Sequence, residues 1–136
     1  MTSPKTKFCI TILLILFSFF CKAQKAKIQR KELQNILLGQ HLQKIETQEI
    51  TLQKAQEAPK HFHPCPVIGI IMSGEIIFEI AGQEPKILKS GETFYEPKNT
   101  LILKFNNNSN TAEARFIAIY LKADEEKSIE FSEITK

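Results

Sequence analysis

The sequence predicts an all-β domain, a sandwich or barrel of short strands behind a short N-terminal arm. Three observations lead there. From Gln43 onward, runs of about six to nine residues alternate with period two and are rich in Ile, Val, Thr and Phe. The turn pairs Ser73-Gly74, Ala81-Gly82 and Ser90-Gly91 punctuate those runs. Pro59 and Pro64 exclude helix from the longest connection. A chain of 136 residues, 43% hydrophobic and 24% charged, has room for one such domain.

Residues 1–23 are set apart from it. Lys5 and Lys7 precede the apolar run "FCITILLILFSFFC" (8–21), and "KAQ" follows. A basic start, an apolar stretch and a small residue at Ala23 have the form of a secretory signal peptide. The run is shorter than the roughly 20 residues of a membrane span, although an uncleaved anchor is the alternative. Lipid attachment at Cys21 is a further alternative, opposed by the bulky Phe20 before it. The expectation is an exported, periplasmic or extracellular protein.

Cleavage there would change the charge balance. Lys5, Lys7 and Lys22 carry the whole excess of 18 basic over 15 acidic residues. A mature chain near neutrality offers no basis for binding nucleic acid or an anionic membrane surface. Cys9 and Cys21 leave with the leader, so Cys65 stays alone and no internal disulfide can form.

The arm spans 24–42. Its apolar cluster Leu33, Ile36, Leu37 and Leu38 suits a short helix or turn closed by Gly39, lying on the domain. The barrel proper spans 43–122. "KIETQEITLQKA" is a strand, and "QEAPKHFHP" an extended connection. "EIIFEIAG" places Ile76, Phe78 and Ile80 on one face. "TLILKFNNNSN" is a strand entering an Asn-rich loop, and "ARFIAIYLKA" aligns Phe116, Ala118 and Tyr120. Asn107-Asn108-Ser109 matches a glycosylation sequon, but asparagine is equally what such a loop uses. Residues 123–136 form a charged tail in which Ile129 and Phe131 alternate, so it can dock as an edge strand.

Two motifs then resemble the cupins, small jelly-roll barrels of two sheets. "HFHPCPVIGIIMSG" resembles the first cupin motif: H-x-H, a few residues, an acidic residue, then an apolar strand ending in Gly. "GETFYEPKNTLILKFN" resembles the second, with Gly91, Pro97 and Asn106 at the family's spacing. "EIIFEIAGQEPKILKS" stands where the intervening hairpin belongs. The resemblance covers about residues 45–121. The phrases "HPCPV", "GETFYEP" and "ARFIAIYL" are also similar to a subgroup of small one-domain cupins of unassigned function. The implied fold is a cupin-type double-stranded jelly-roll β-barrel.

The same resemblance implies a metal site of four ligands, and here the chain departs from it. The acidic position is Val67 or Ile68, the glycine of Pro-x-Gly is Asn99, and the histidine of the second motif is Ile102. His61 and His63 alone are kept. Being two apart, they can share one strand face. A stable site needs a third protein ligand. One candidate is Glu96, which shares a face with Phe94 and would complete a two-histidine, one-carboxylate set. The other is Cys65, flanked by two prolines and exposed to oxidation outside the cytoplasm. The metal would be Fe, Mn, Ni or Zn.

Three functions remain open. The first is an exported binding protein, not an enzyme, with a small molecule in an apolar pocket lined by Ile102 and with His61, His63 and Glu96 as its polar groups. The second is a metal-dependent enzyme, oxygenase- or lyase-like, using His61, His63 and Glu96. The third is a domain that works by assembly, such as a homodimer through strand edges. The apolar residues at Val67 and Ile102 place the first ahead.

Overall fold

A computed structural model describes residues 27–132. The signal-peptide expectation for 1–23 and the last four residues of the tail lie outside the described residues. Among the described residues nine strands form: β1 (Lys44–Leu52), β2 (His61–Phe62), β3 (Val67–Ser73), β4 (Glu75–Ile80), β5 (Lys86–Lys89), β6 (Thr93–Glu96), β7 (Ile102–Asn107), β8 (Ala114–Lys122) and β9 (Glu130–Phe131). They make two sheets, β1-β8-β3-β6 and β5-β4-β7-β2-β9. Neighbouring strands pair antiparallel throughout both sheets. The all-β, jelly-roll-like expectation holds.

The period-two faces do what alternation requires. Ile76, Phe78 and Ile80 of β4 are buried, as are Phe116, Ala118 and Tyr120 of β8. Phe78 and Phe105 come from one sheet, Phe94 and Phe116 from the other, and they meet between the layers. Phe105 lies 4.8 Å from Phe116, 5.0 Å from Phe94 and 5.5 Å from Phe78, centroid to centroid, in tilted or edge-to-face pairs. Gly69 makes room for this cluster. A Cβ there would stand 2.2 Å from the Phe94 ring and 2.3 Å from the Ile117 carbonyl oxygen. The three predicted turn glycines, Gly74, Gly82 and Gly91, have φ of 80°, 80° and 83°, where a side chain would be strained.

The arm corrects one expectation. Residues 32–42 hold no helix and run extended. Ile36 and Leu38 are half-buried with exposed Leu37 between them, so the cluster read as helical has period two. Gln40 Nε2 donates to the Leu121 carbonyl at 3.0 Å and Thr93 Oγ1 to that of Leu33 at 3.4 Å. Residues 33–40 thus lie on the outer face of the β8-β3-β6 sheet. That is why Leu121, on the outward side of β8, is only 7% exposed.

The tail docks. β9 pairs with β2 through His61↔Phe131 and Phe62↔Glu130, and Ser132 N–H donates to the Lys60 carbonyl at 3.0 Å. Asn107 of the sequon is 5% exposed; its amide donates to the Gln53 and Ala112 carbonyls at 2.9 and 2.8 Å. It is a loop-closing group, as loop chemistry predicts.

Candidate metal centre

The site begins where the chain changes sheets. β2 belongs to one sheet and β3 to the other, and Pro64-Cys65-Pro66 makes the crossing. His61 and His63 precede it, both turned inward and 5% and 3% exposed. Asn99 N–H donates to the His63 carbonyl at 2.8 Å and fixes the backbone there. Asn99 itself has φ 56°, the left-handed conformation that the family's glycine would take and that Asn tolerates best among the other residues.

Glu96, at the end of β6, is 3% exposed and meets both histidines. Its Oε2 lies 2.9 Å from His63 Nε2 and its Oε1 3.9 Å from His61 Nε2. One ligand atom from each of the three residues lies within 4.8 Å of the other two. The register explains the arrangement. Glu96 is the direct cross-strand partner of Val67, one of the two positions, with Ile68, where the first motif would carry its acid. Cross-strand partners share a sheet face, so the carboxylate enters the same space from the neighbouring strand.

The outer nitrogens set the tautomers. His61 Nδ1 is 2.8 Å from the Pro59 carbonyl, and His63 Nδ1 bonds the Ser128 carbonyl. A carbonyl only accepts, so both Nδ1 atoms carry the proton and donate it. Both Nε2 atoms then face Glu96 as bare lone pairs. Two lone pairs and a carboxylate are all acceptors. Such a set needs a cation among them, either a proton or a metal.

The titration of the two histidines agrees. Burial lowers His61 below the usual 6.5; the Pro59 carbonyl and the Glu96 charge oppose this without overcoming it. Burial also pulls on His63, but its hydrogen bond to Glu96, the Glu96 charge and the Ser128 carbonyl together raise it above 6.5. With no metal bound, a proton shared between His63 Nε2 and Glu96 Oε2, 2.9 Å apart, satisfies the closest pair of acceptors.

Beside the cluster is a chamber of about 130 Å³. Leu52, Phe94, Phe105, Phe116 and Ala118 wall it, and Ile129 and Phe131 of the tail close one side. Tyr120 also lines it, with its ring 5.6 Å from that of His63. Burial, and then the Glu96 charge, push the Tyr120 hydroxyl up to about 12, so it stays protonated at neutral pH.

The other two expected site residues lie elsewhere. Cys65 is fully buried, its Sγ 3.8 Å from the Lys127 carbonyl, and burial raises its thiol. It packs in the core and is not part of the cluster among the described residues. Ile102 stands opposite His61 in register, so the residue in the second-motif histidine's place is next to the site. It is 1% exposed, packs into the core, and is not among the residues lining the chamber. The sequence reading missed Ser128 and Tyr120. Tyr120 was legible, since it shares a face with Phe116 and Ala118. Ser128 acts through its carbonyl and left no side-chain signal.

The cupin domain family matches residues 48–120. The chain is a cupin. An uncharacterised protein of Methanocaldococcus jannaschii is 30% identical over 89 residues, covering 65% of this chain and 74% of that one. Among solved structures, an oxalate oxidase in complex with the substrate analogue glycolate matches with TM-score 0.56 at 22% identity, over 64% of this cupin and 45% of that chain. A DMSP lyase from Ruegeria pomeroyi matches with TM-score 0.56 at 18% identity, over 65% and 43%. A cupin-like protein from Thermotoga maritima matches with TM-score 0.56 at 19% identity, over 65% and 64%. The chain spans less than half of the first two and under two thirds of the third. At these identities the likeness is one of fold.

Proposed function

We propose that this cupin is an exported metal-binding protein. His61, His63 and Glu96 hold one divalent transition metal at the polar side of a chamber that takes a small molecule. The observation that carries this is the acceptor-only cluster: two Nε2 lone pairs and a buried carboxylate, with both Nδ1 protons committed to carbonyls. Outer hydrogen bonds of this kind fix the orientation and basicity of ligating histidines. Two histidines and one carboxylate suit Fe, Mn, Ni or Zn and leave positions open for a small molecule. A metal held there would supply Lewis acidity toward an oxygen of that molecule. Export rests on the form of residues 1–23.

The chain's own part is positional. Glu96 supplies charge, and the Pro59 and Ser128 carbonyls aim the imidazoles. Apolar side chains line the open side. A second reading has an observation of its own: the 2.9 Å His63–Glu96 bond is satisfied by a proton alone. The cluster would then be a polar patch in a metal-free binding pocket.

Elemental analysis separates the two. The protein is purified without chelator or metal-affinity tag, beside a His61→Ala/His63→Ala variant. About one metal per chain, lost in the variant, is the expected result. No metal in the wild type, even after incubation with Fe, Mn, Ni and Zn salts, would leave the proton-bridged pocket in its place.

A further inference from the structure

We propose that the chamber takes one compact, uncharged molecule with a ring-sized apolar body and a single hydroxyl-type head, phenol being the simplest of the class. This deepens the metal-centre reading and rests on it only for what the head group meets. Three observations carry it.

The first is size. About 130 Å³ is close to the roughly 150 Å³ of an apolar cavity that admits benzene. A six-membered ring fills such a space, and a two-ring molecule would extend past the exposed rim at Ile129 and Phe131. The second is the composition of the walls. No Lys or Arg and no Asn, Gln, Ser or Thr side chain lines the chamber among the described residues. The cationic group the wall can supply, a protonated His63, is already paired with Glu96, so an anion would find no free counter-charge from the protein. A polyhydroxylated molecule would lose water from each hydroxyl and find no partner for most of them. The third is where the polar atoms sit. His61, His63, Glu96 and Tyr120 are neighbours, so only one end of a ligand can meet polar groups. Tyr120 offers a hydroxyl proton to an oxygen placed there. Phe94 and Phe105, whose rings are 5.0 Å apart, offer faces and edges to a ring behind it.

This is a narrower class than the fold allows, because one superfold hosts many chemistries. It sets the chamber against dicarboxylates and sugars on physical grounds. It also assigns Tyr120 a binding role that neither cupin motif contains.

The test is a titration of the metal-free and metal-loaded protein with phenol, benzene, oxalate and glucose. It is followed by calorimetry and by the methyl signals of Leu52, Ala118 and Ile129. Phenol is expected to saturate at one per chain and to move those methyls, while oxalate and glucose leave the metal-free protein unchanged. Tyr120→Phe is expected to weaken phenol by about tenfold, the worth of one hydrogen bond, and to leave benzene unaffected. Ala118→Leu, which fills the chamber, is expected to abolish both. If that variant fails to fold, Ala58→Phe fills the same space from the half-buried rim. Phenol binding that survives a folded filling variant would overturn the proposal. So would oxalate or glucose binding to the metal-free protein as tightly as phenol. Metal content is read in the same samples. Protein that loads metal but takes no phenol overturns this inference and leaves the metal centre standing. Protein that takes phenol but no metal upholds the chamber and removes the metal centre.

Discussion

Replacing Glu96 by glutamine should reverse the sign of a pH effect. In the metal-free wild type, His63 Nε2–H donates to Glu96 at 2.9 Å, with both side chains about 4% exposed. A hydrogen bond to a charged group contributes about 1.5–3 kcal/mol and a neutral one about 0.5–1.5. A glutamine amide can still bond His63, by donating to a neutral Nε2. The net cost is therefore the difference, about 1–1.5 kcal/mol. For a domain near 100 residues that lowers Tm by roughly 4–12 °C. The pH profile says more. His63 is raised in the folded wild type, so its contribution is full below 6.5 and is lost as pH rises through the folded value. Without the Glu96 charge, burial dominates, and the folded pKa drops below 6.5. The contribution of His63 is then present above 6.5 and lost as pH falls. Urea midpoints with chelator present, measured from about pH 5 to pH 9, show this directly. Parallel profiles for the two proteins would refute the assignment of the shared proton to the His63–Glu96 pair.

Four further outcomes follow from the structure. Metal uptake must displace the proton held by His63, so binding should release about one proton per metal at pH below the raised His63 value. Calorimetry in buffers of different ionisation enthalpy counts it, and zero release would contradict the acceptor-only cluster. Lys122→Met should loosen residues 123–132, because the buried Lys122 ammonium is 2.8 Å from both Glu46 Oε2 and Ser128 Oγ. A loss of about 2 kcal/mol, faster amide exchange at Ser132 and faster metal release are expected, and unchanged exchange at Ser132 would count against the clasp. The same clasp should resist acid. Lys122, then Gln48 and Ser128, holds Glu46 down to about 2, so its contribution is present above 4.5 and lost only as pH falls toward 2. Asn107→Ala should cost about 1–2 kcal/mol by removing the buried amide that joins the part-buried Gln53 and Ala112 carbonyls, seen as a lower urea midpoint with unchanged metal content.

The sequence showed the fold well because strand faces are a local property. Ile76-Phe78-Ile80 and Phe116-Ala118-Tyr120 announce themselves by alternation, and the turn glycines by type. Of the helix or turn expected in the arm, the helix is absent because Ile36 and Leu38 fit either period when their partner is unknown; the outer face of β8-β3-β6 gives them period two. Half of the site was legible. His61 and His63 stand two apart on one strand, and Glu96 shares a face with Phe94. What could not be read was that Val67 and Glu96 are cross-strand partners, since register is set by long-range pairing. Counted along the motif, the acid is missing; counted across the sheet, it is one strand away. The role of the tail was hidden for a related reason. Ser128 reaches His63 with a carbonyl, which any residue could supply.

Anomalous diffraction from crystals of the metal-loaded protein tests the metal centre itself. One ion is expected within about 2.0–2.2 Å of His61 Nε2, His63 Nε2 and a Glu96 oxygen, and no peak at Cys65. A peak ligated elsewhere, or none after loading at saturating metal, would contradict it.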